Sequence, residues 1–174
     1  AFCKISPSKK NTTVSFDTIS LTIPNNFIAL LIIQEIFVQE HYRHLKWLNH
    51  VLDLWWYIWE SGLYLAKYNK NVTIVESDPH NFAYLQNNLK NKSNITLIQK
   101  AVVADANQTF FLNEDNEYWW TISTHESSKC YQIETITIEQ LCKNIEFDGL
   151  KMDIEWGEYS ILKYCMQDDR FPFQ

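Results

Sequence analysis

From residue 51 onward the chain repeats one pattern: a short apolar run that carries an acid near its end, then a stretch with helical spacing. HVLDL (50–54) holds Asp53, NVTIVE (71–76) closes on Glu76, and DGLKMDIEW (148–156) closes on Asp153 and Glu155. Between the first two lies SGLYLAKYN (61–69), with Leu63, Leu65, Ala66 and Tyr68 as packing residues. After the second, Asp78 and Pro79 supply a cap and a first-turn proline, and Phe82, Leu85 and Leu89 give the following helix an inner face. NITLIQKAVVA (94–104) reads as a third strand. Strands separated by helices join through right-handed crossovers, so the pattern predicts an α/β fold with a parallel sheet. In such sheets ligands sit outside the carboxyl ends of the strands, which makes the edge bearing Asp53, Glu76, Asp153 and Glu155 the place for a functional site.

The remaining segments are less regular. Residues 13–24 carry two alternating runs closed by Pro24, a small hairpin or meander. Asn25 or Asn26 can cap the next segment, where apolar residues from Phe27 to Leu48 recur at helical spacing with room for one break. FFL (110–112) and ETITIEQL (134–141) are strand-like, with a polar loop between them, and a last helix runs through Tyr159, Ile161, Leu162 and Cys165. This predicts an N-terminal hairpin and helical cap over 1–50, followed by the sheet domain over 51–174.

Composition narrows the partners. In 174 residues, 15 basic against 21 acidic side chains give a net charge of −6, which argues against a nucleic-acid backbone or an anionic membrane. The longest apolar run, FIALLII (27–33), is far short of the roughly 20 residues that span a bilayer. Cys3, Cys130, Cys142 and Cys165 have no metal-ligand spacing and read as reduced thiols of a cytoplasmic protein. The N-x-S/T triplets at Asn11, Asn71, Asn91, Asn94 and Asn107 are read as products of an Asn-, Ser- and Thr-rich composition. His41, His44 and His50 lack the HExxH spacing and read as surface histidines of a helix; no G-x-S-x-G elbow and no P-loop occurs.

Glu76 follows Asp53 at about the 20-residue offset where a strand-end carboxylate accepts both ribose hydroxyls of a nucleotide. Two acceptor oxygens match two vicinal donors. The alternative is an acid that caps the next helix.

VLDLWWYIWESGLYLAKY, VTIVESDPHNFAYLQNNLK, ITLIQKAVVAD and LKMDIEWGEYSIL, in this order and spacing, resemble the FkbM family of S-adenosylmethionine (SAM)-dependent methyltransferases. FIALLIIQEIFVQEHYRHL resembles the helix before that family's first strand. The resemblance implies a Rossmann-like methyltransferase fold. It implies SAM as cofactor and methyl transfer to an oxygen of a small-molecule or glycan acceptor. By position it implies that Asp53 orients the loop after the first strand and the methionine amino group. Trp55, Tyr57 and Trp59 stand in that loop. Glu76 would hold the ribose, Ser77 and Asp78 the adenine side, and Lys100, Ala101 and Val102 the adenine wall. Asp153 and Glu155 would face the methyl group and the acceptor, steering a hydroxyl or holding a metal.

The departures are as pointed as the matches. Only 3 glycines occur, where about 7% would be usual. Where the family's loop reads roughly GANIG, this chain has Trp55, Trp56, Tyr57, Ile58 and Trp59; where it reads DIEGGE, Trp156 replaces a glycine. Trp119 and Trp120 fall in a further loop. Glycines there let backbone turn and approach a cofactor, whereas an indole adds some 150–250 Å² of surface. The substitutions predict a pocket filled by indoles, and with it a second reading: a catalytically silent binding or scaffold module. The family's sheet continues beyond the DIEGGE helix, so an open edge beside residues 149–154, able to self-associate, is a further expectation.

Overall fold

The computed structural model describes residues 3–8, 11–16, 19–24, 27–55, 60–105, 107–114, 120–154 and 157–166. Three strands, β1 (Cys3–Pro7), β2 (Asn11–Phe16) and β3 (Ile19–Pro24), form an antiparallel meander. The hairpin read from 13–24 is β2 and β3; β1 adds a strand with no strong alternation of its own. The meander rests on a later helix through Asn88, whose side chain takes the N–H of Thr22 and donates to its carbonyl. The predicted caps Asn25 and Asn26 lie outside the described residues.

Helix α1 (Phe27–Ile33) runs into a π-turn (Gln34–Val38) and then a 3₁₀ turn (Arg43–Leu45). The break predicted in this helical stretch therefore falls at Gln39 and Glu40. Positive φ falls on residues other than glycine on either side of the 3₁₀ turn: Glu40 takes φ 52° and Trp47 φ 70°, whereas none of the glycines has positive φ. No described helix is long and apolar enough to cross a membrane.

The central sheet is built from β4 (His50–Trp55), β5 (Asn71–Glu76), β6 (Ile95–Gln99) and β12 (Gly149–Asp153), in the order β12-β4-β5-β6 and all parallel. Val51 to Leu54 and Val72 to Glu76 are buried without alternation, as expected of central strands covered on both faces. One face packs Val51, Val72 and Ile74 against α2 (Glu60–Tyr68) and α3 (Pro79–Leu89). The other packs Leu52, Leu54 and Val75 against α4 (Ile138–Cys142) and α5 (Gly157–Met166). Gly62 has a packing reason, since a Cβ there would run into the Ile74 side chain of β5.

Three details differ from the sequence reading. The third strand does not run unbroken through 104: it stops at Gln99, and β7 (Ala101–Val103) pairs in parallel with β11 (Thr135–Thr137) instead. Lys100 at the break pairs with Glu134 at 3.2 Å, and the Ala101 N–H donates to the Glu134 carbonyl, so the chain changes partners there. FFL is a strand, β8 (Phe110–Glu114), but the polar loop after it also contains strands: β9 (Trp120–Ser123) and β10 (Cys130–Ile133) pair with β8 in an antiparallel sheet of order β10-β8-β9. Trp120 is thus a strand residue, while Trp119 lies outside the described residues. ETITIEQL is half strand and half helix, because Thr137 and Gln140 form a capping box that starts α4. His50 opens β4 rather than lying on a helix; its ring contacts Phe147 and bonds Thr73.

Candidate functional site

Parallel pairing brings the strand-end acids to one edge. Asp53 lies opposite Lys151 in the β4–β12 register, Asp153 lies opposite Trp55, and Glu76 ends the neighbouring strand. Asp53 is fully buried and accepts a 2.6 Å hydrogen bond from the Ser61 hydroxyl at the start of α2. Lys151 Nζ stands 3.6 Å from Asp53 Oδ1 and 3.8 Å from Asp153 Oδ2. The two carboxylates differ in environment: Asp53 is closed off, whereas the Asp153 side chain is 53% exposed. Burial raises the Asp53 pKa, with Lys151 and Ser61 opposing it; burial likewise lowers that of Lys151, with Asp53 and Asp153 opposing.

Glu60, the first residue of α2, is also fully buried, and neither carboxylate oxygen has a hydrogen-bond partner among the described residues. Burial pushes its pKa well above the usual carboxylate range, only partly offset by its own backbone N–H and by Lys151. Tyr42 packs near the same group: its ring centroid is 5.7 Å from Lys151 Nζ. Burial, then Asp53 and Asp153, raise its pKa.

Across the next crossover, the β5–α3 turn is tied by its own acids. Glu76 Oε1 accepts the Asp78 N–H at 2.7 Å, and Asp78 Oδ1 accepts the His80 N–H at 2.6 Å. The cap of α3 is therefore Asp78, as the sequence predicts, and Glu76 instead braces the turn that leads to it. Ser77 and Asp78 are both buried.

Beside this turn a cavity of about 340 Å³ opens at the carboxyl edge. Ser77 and residues 100–105 form one wall; Phe110 of β8 and Ile122 of β9 form a second, and Ile154, Gly157 and Ser160 close the α5 side. Its size falls in the usual range for small-ligand pockets, roughly 300–1,000 Å³. The structure thus brings Ser77, Lys100, Ala101 and Val102 together around one space. Asp53 and Asp153 are brought together elsewhere, by Lys151, and with Glu76 and Asp78 they do not line the cavity. Trp55 ends β4; Tyr57, Trp59 and Glu155 lie outside the described residues, as do Trp56 and Trp156.

Sequence reasoning missed Lys151, Glu60, Ser61 and Tyr42. A signal existed for the first: two-residue alternation puts Lys151 on the same strand face as Asp153, and register then sets it against Asp53. It also missed Phe110, Ile122 and Ser160, which only the tertiary fold brings to the cavity. No group of three or more metal-ligating side chains occurs among the described residues.

Among solved structures, the chain is similar to the crystal structure of M. jannaschii TYW2 in complex with AdoMet. The match has 22% identity and a TM-score of 0.42, over 54% of this chain and 45% of that one. The chain therefore spans less than half the length of that protein. No curated protein sequence matches it. A family model described as a methyltransferase FkbM domain matches residues 48–171, from the residues before β4 to beyond the end of α5. With most of its length under that match, the chain belongs to the FkbM methyltransferase family.

Proposed function

We propose that the chain binds SAM at the carboxyl edge and transfers its methyl group to a hydroxyl oxygen of a small-molecule or glycan acceptor. The observation that carries this reading is the cavity walled by Ser77, Lys100, Ala101 and Val102, at the same sheet edge that carries the strand-end acids Asp53, Glu76 and Asp153. The chemistry of these groups fits the cofactor. A carboxylate at Asp53 suits a cationic amino group, a strand-end carboxylate at Glu76 suits a ribose diol, and a partly apolar cavity suits a planar base.

Bound SAM supplies a methyl group on a positively charged sulfur, ready for in-line attack. The chain's own work is then proximity, orientation and handling of one proton. Transfer forms an O–C bond as the S–C bond breaks, leaves the thioether, and requires the acceptor to lose its hydroxyl proton. Asp153, the solvent-accessible carboxylate of the edge, is suited to orient that hydroxyl and take its proton, with Glu155 beside it in sequence. Asp53 and Glu76 hold the cofactor; Ser77, Asp78 and residues 100–102 flank its base.

Trp55, Trp59 and Trp156, at positions the family leaves to glycine, and Trp56 beside them favour a second reading: a silent module whose cofactor space is occupied by indoles. Thermal melting with and without SAM separates the two. Ligand at 100 times its Kd adds about 2.7 kcal/mol, a rise of roughly 5–11 °C for a chain of this size. Such a rise, with SAM-dependent methylation of a hydroxyl acceptor, is the expected outcome. No rise at millimolar SAM overturns the enzyme reading in favour of the silent module.

Assembly and location belong to the same proposal. Among the described residues β12 pairs only with β4, which supports self-association through that edge; a monomer by light scattering overturns it. The free thiols Cys130, Cys142 and Cys165 support a cytoplasmic location.

A further inference from the structure

Lys151 is the one described cation whose ion pairs link two strand-end acids of the sheet. We propose that Lys151 is a positioning residue for the cofactor: its buried ammonium keeps Asp53 charged and ties it to Asp153, so that Asp53 can receive the cationic amino group of SAM. The inference rests on the reading that SAM binds at this edge.

Strand register sets up the contact. Lys151 and Asp53 are direct neighbours on β12 and β4, and one pair down the same face the neighbours are Gly149 and Val51, an ordinary apolar contact. The side chains of Lys151 and Asp53 are 4% and 0% exposed. Pairs of this kind hold strands together no better than apolar residues of the same volume. Stability alone therefore does not account for a lysine here. A buried carboxylate with no cation, by contrast, takes up a proton instead of staying charged.

The surrounding charges make the dependence on one lysine sharper. Asp53 from β4, Asp153 from β12 and Glu76 from β5 all act on Lys151, as does Glu60 from α2. The Tyr42 ring stands over it, and Glu35 of the π-turn acts on Tyr42. Ser61 Oγ donates to the far oxygen of Asp53, leaving Oδ1 toward the ammonium. Four acidic side chains thus lie within electrostatic reach of one lysine. Removing it leaves Asp53 with a hydroxyl donor and the repelling carboxylate of Asp153, and an uncharged Asp53 attracts no ammonium ligand.

The test measures SAM binding by titration calorimetry from pH 6 to 9 on the wild type, Lys151→Met and Lys151→Arg. Lys151→Met is expected to weaken SAM at least tenfold at pH 7 and to regain affinity as pH rises, because Asp53 then loses its proton later. Lys151→Arg is expected to stay within about threefold of the wild type and to keep its pH profile. A purely structural lysine would lower the melting temperature without moving that profile. Folded Lys151→Met that binds within twofold, with the wild-type profile, overturns the inference and leaves the cofactor reading intact. Wild type that fails to bind SAM overturns both. If Lys151→Met does not fold, the double variant Asp53→Asn/Lys151→Met removes both charges together. It is expected to bind at least tenfold more weakly at every pH with no recovery, and wild-type affinity in it overturns the inference.

Discussion

The carboxyl edge of this sheet has two halves built on different physics. On the β4–β12 side, buried ionisable groups crowd together: Asp53, Lys151 and Glu60 are all nearly or fully inaccessible, and the attraction between Lys151 and Asp53 opposes their desolvation only in part. On the β5–β7 side, the same edge opens into a cavity lined by Val75, Val102, Phe110 and Ile122 together with polar residues such as Ser77, Gln108 and Ser160. The first half fixes charge and the second fixes shape. A ligand with a cationic end and a flat, weakly polar end would use both. Substitutions should therefore separate: those in the ionic half should move stability and pH dependence together with binding, and those in the cavity half should move binding alone.

The largest expected effect breaks the ionic half. Lys151→Met leaves Asp53 buried beside a hydroxyl and no cation, which costs about 3–5 kcal/mol in comparable buried pairs. At roughly 2–4 °C per kcal/mol, the melting temperature should fall by some 6–20 °C. Asp53→Asn in the same background should recover most of that loss, since no buried charge is then stranded. A loss no smaller in the double variant than in Lys151→Met would mean that packing of the lysine stem, not charge, holds the two strands.

Glu60 gives the next test. Its folded pKa is raised by burial above the unfolded value, so the folded state holds this proton more tightly than the unfolded chain does. Its contribution to stability is whole below about pH 4.3 and is lost as pH rises through the raised folded value. Glu60→Gln removes that loss. Urea unfolding from pH 5 to 8 should show the variant gaining on the wild type as pH rises, by up to about 1.4 kcal/mol per unit of pH within the window. A constant offset across that range would show that Glu60 stays charged, held by neighbours beyond the described residues.

How much of this was legible depends on the range of the interactions. The β5–α3 turn could be read from VESDP, because its cap, its proline and its acids are all local. The parallel strands could be read from runs of buried residues, since Val72 to Glu76 lack alternation. The break at Lys100 could not. Apolar residues stand on both sides of it, Leu97 and Ile98 before and Ala101 and Val102 after, and only pairing with Glu134 and β11 ends the strand. β9 and β10 were hidden for a related reason: polar residues such as Asn113 and Ser123 are satisfied by each other across the antiparallel sheet, so composition suggested a loop. Lys151 was hidden by distance, since its partner Asp53 lies far away in sequence and only register brings them together.

The cavity half is sharpened by a substitution that should leave the fold alone. Ser160 is an exposed residue of α5 that also lines the cavity. Ser160→Trp puts an indole over the space next to Ser77 and Val102. Stability should stay within about 0.5 kcal/mol, as for most surface changes. SAM affinity should fall at least tenfold, the equivalent of about 1.4 kcal/mol. Unchanged affinity would mean that the ligand leaves this cavity empty, and the division of labour between the two halves would fail.

The smallest expected effect tests the joint between the halves. Asp78 ends the turn braced by Glu76 and caps α3 through the His80 N–H. Burial raises its pKa, with the backbone N–H groups of His80 and Asn81 opposing, so the cap bonds pull against desolvation. Asp78→Ala removes the acceptor and should cost about 1 kcal/mol, a drop of roughly 2–4 °C in melting temperature. Asp78→Asn keeps an acceptor oxygen without a titrating group and should lose less than half of that. Because burial favours the protonated acid, the wild-type advantage over Asp78→Asn should shrink as pH rises from 4 to 7. An advantage that grows over that range would show that the two N–H bonds to the carboxylate outweigh burial. The turn would then be governed by charge like the ionic half, and no longer a locally closed element set by backbone geometry.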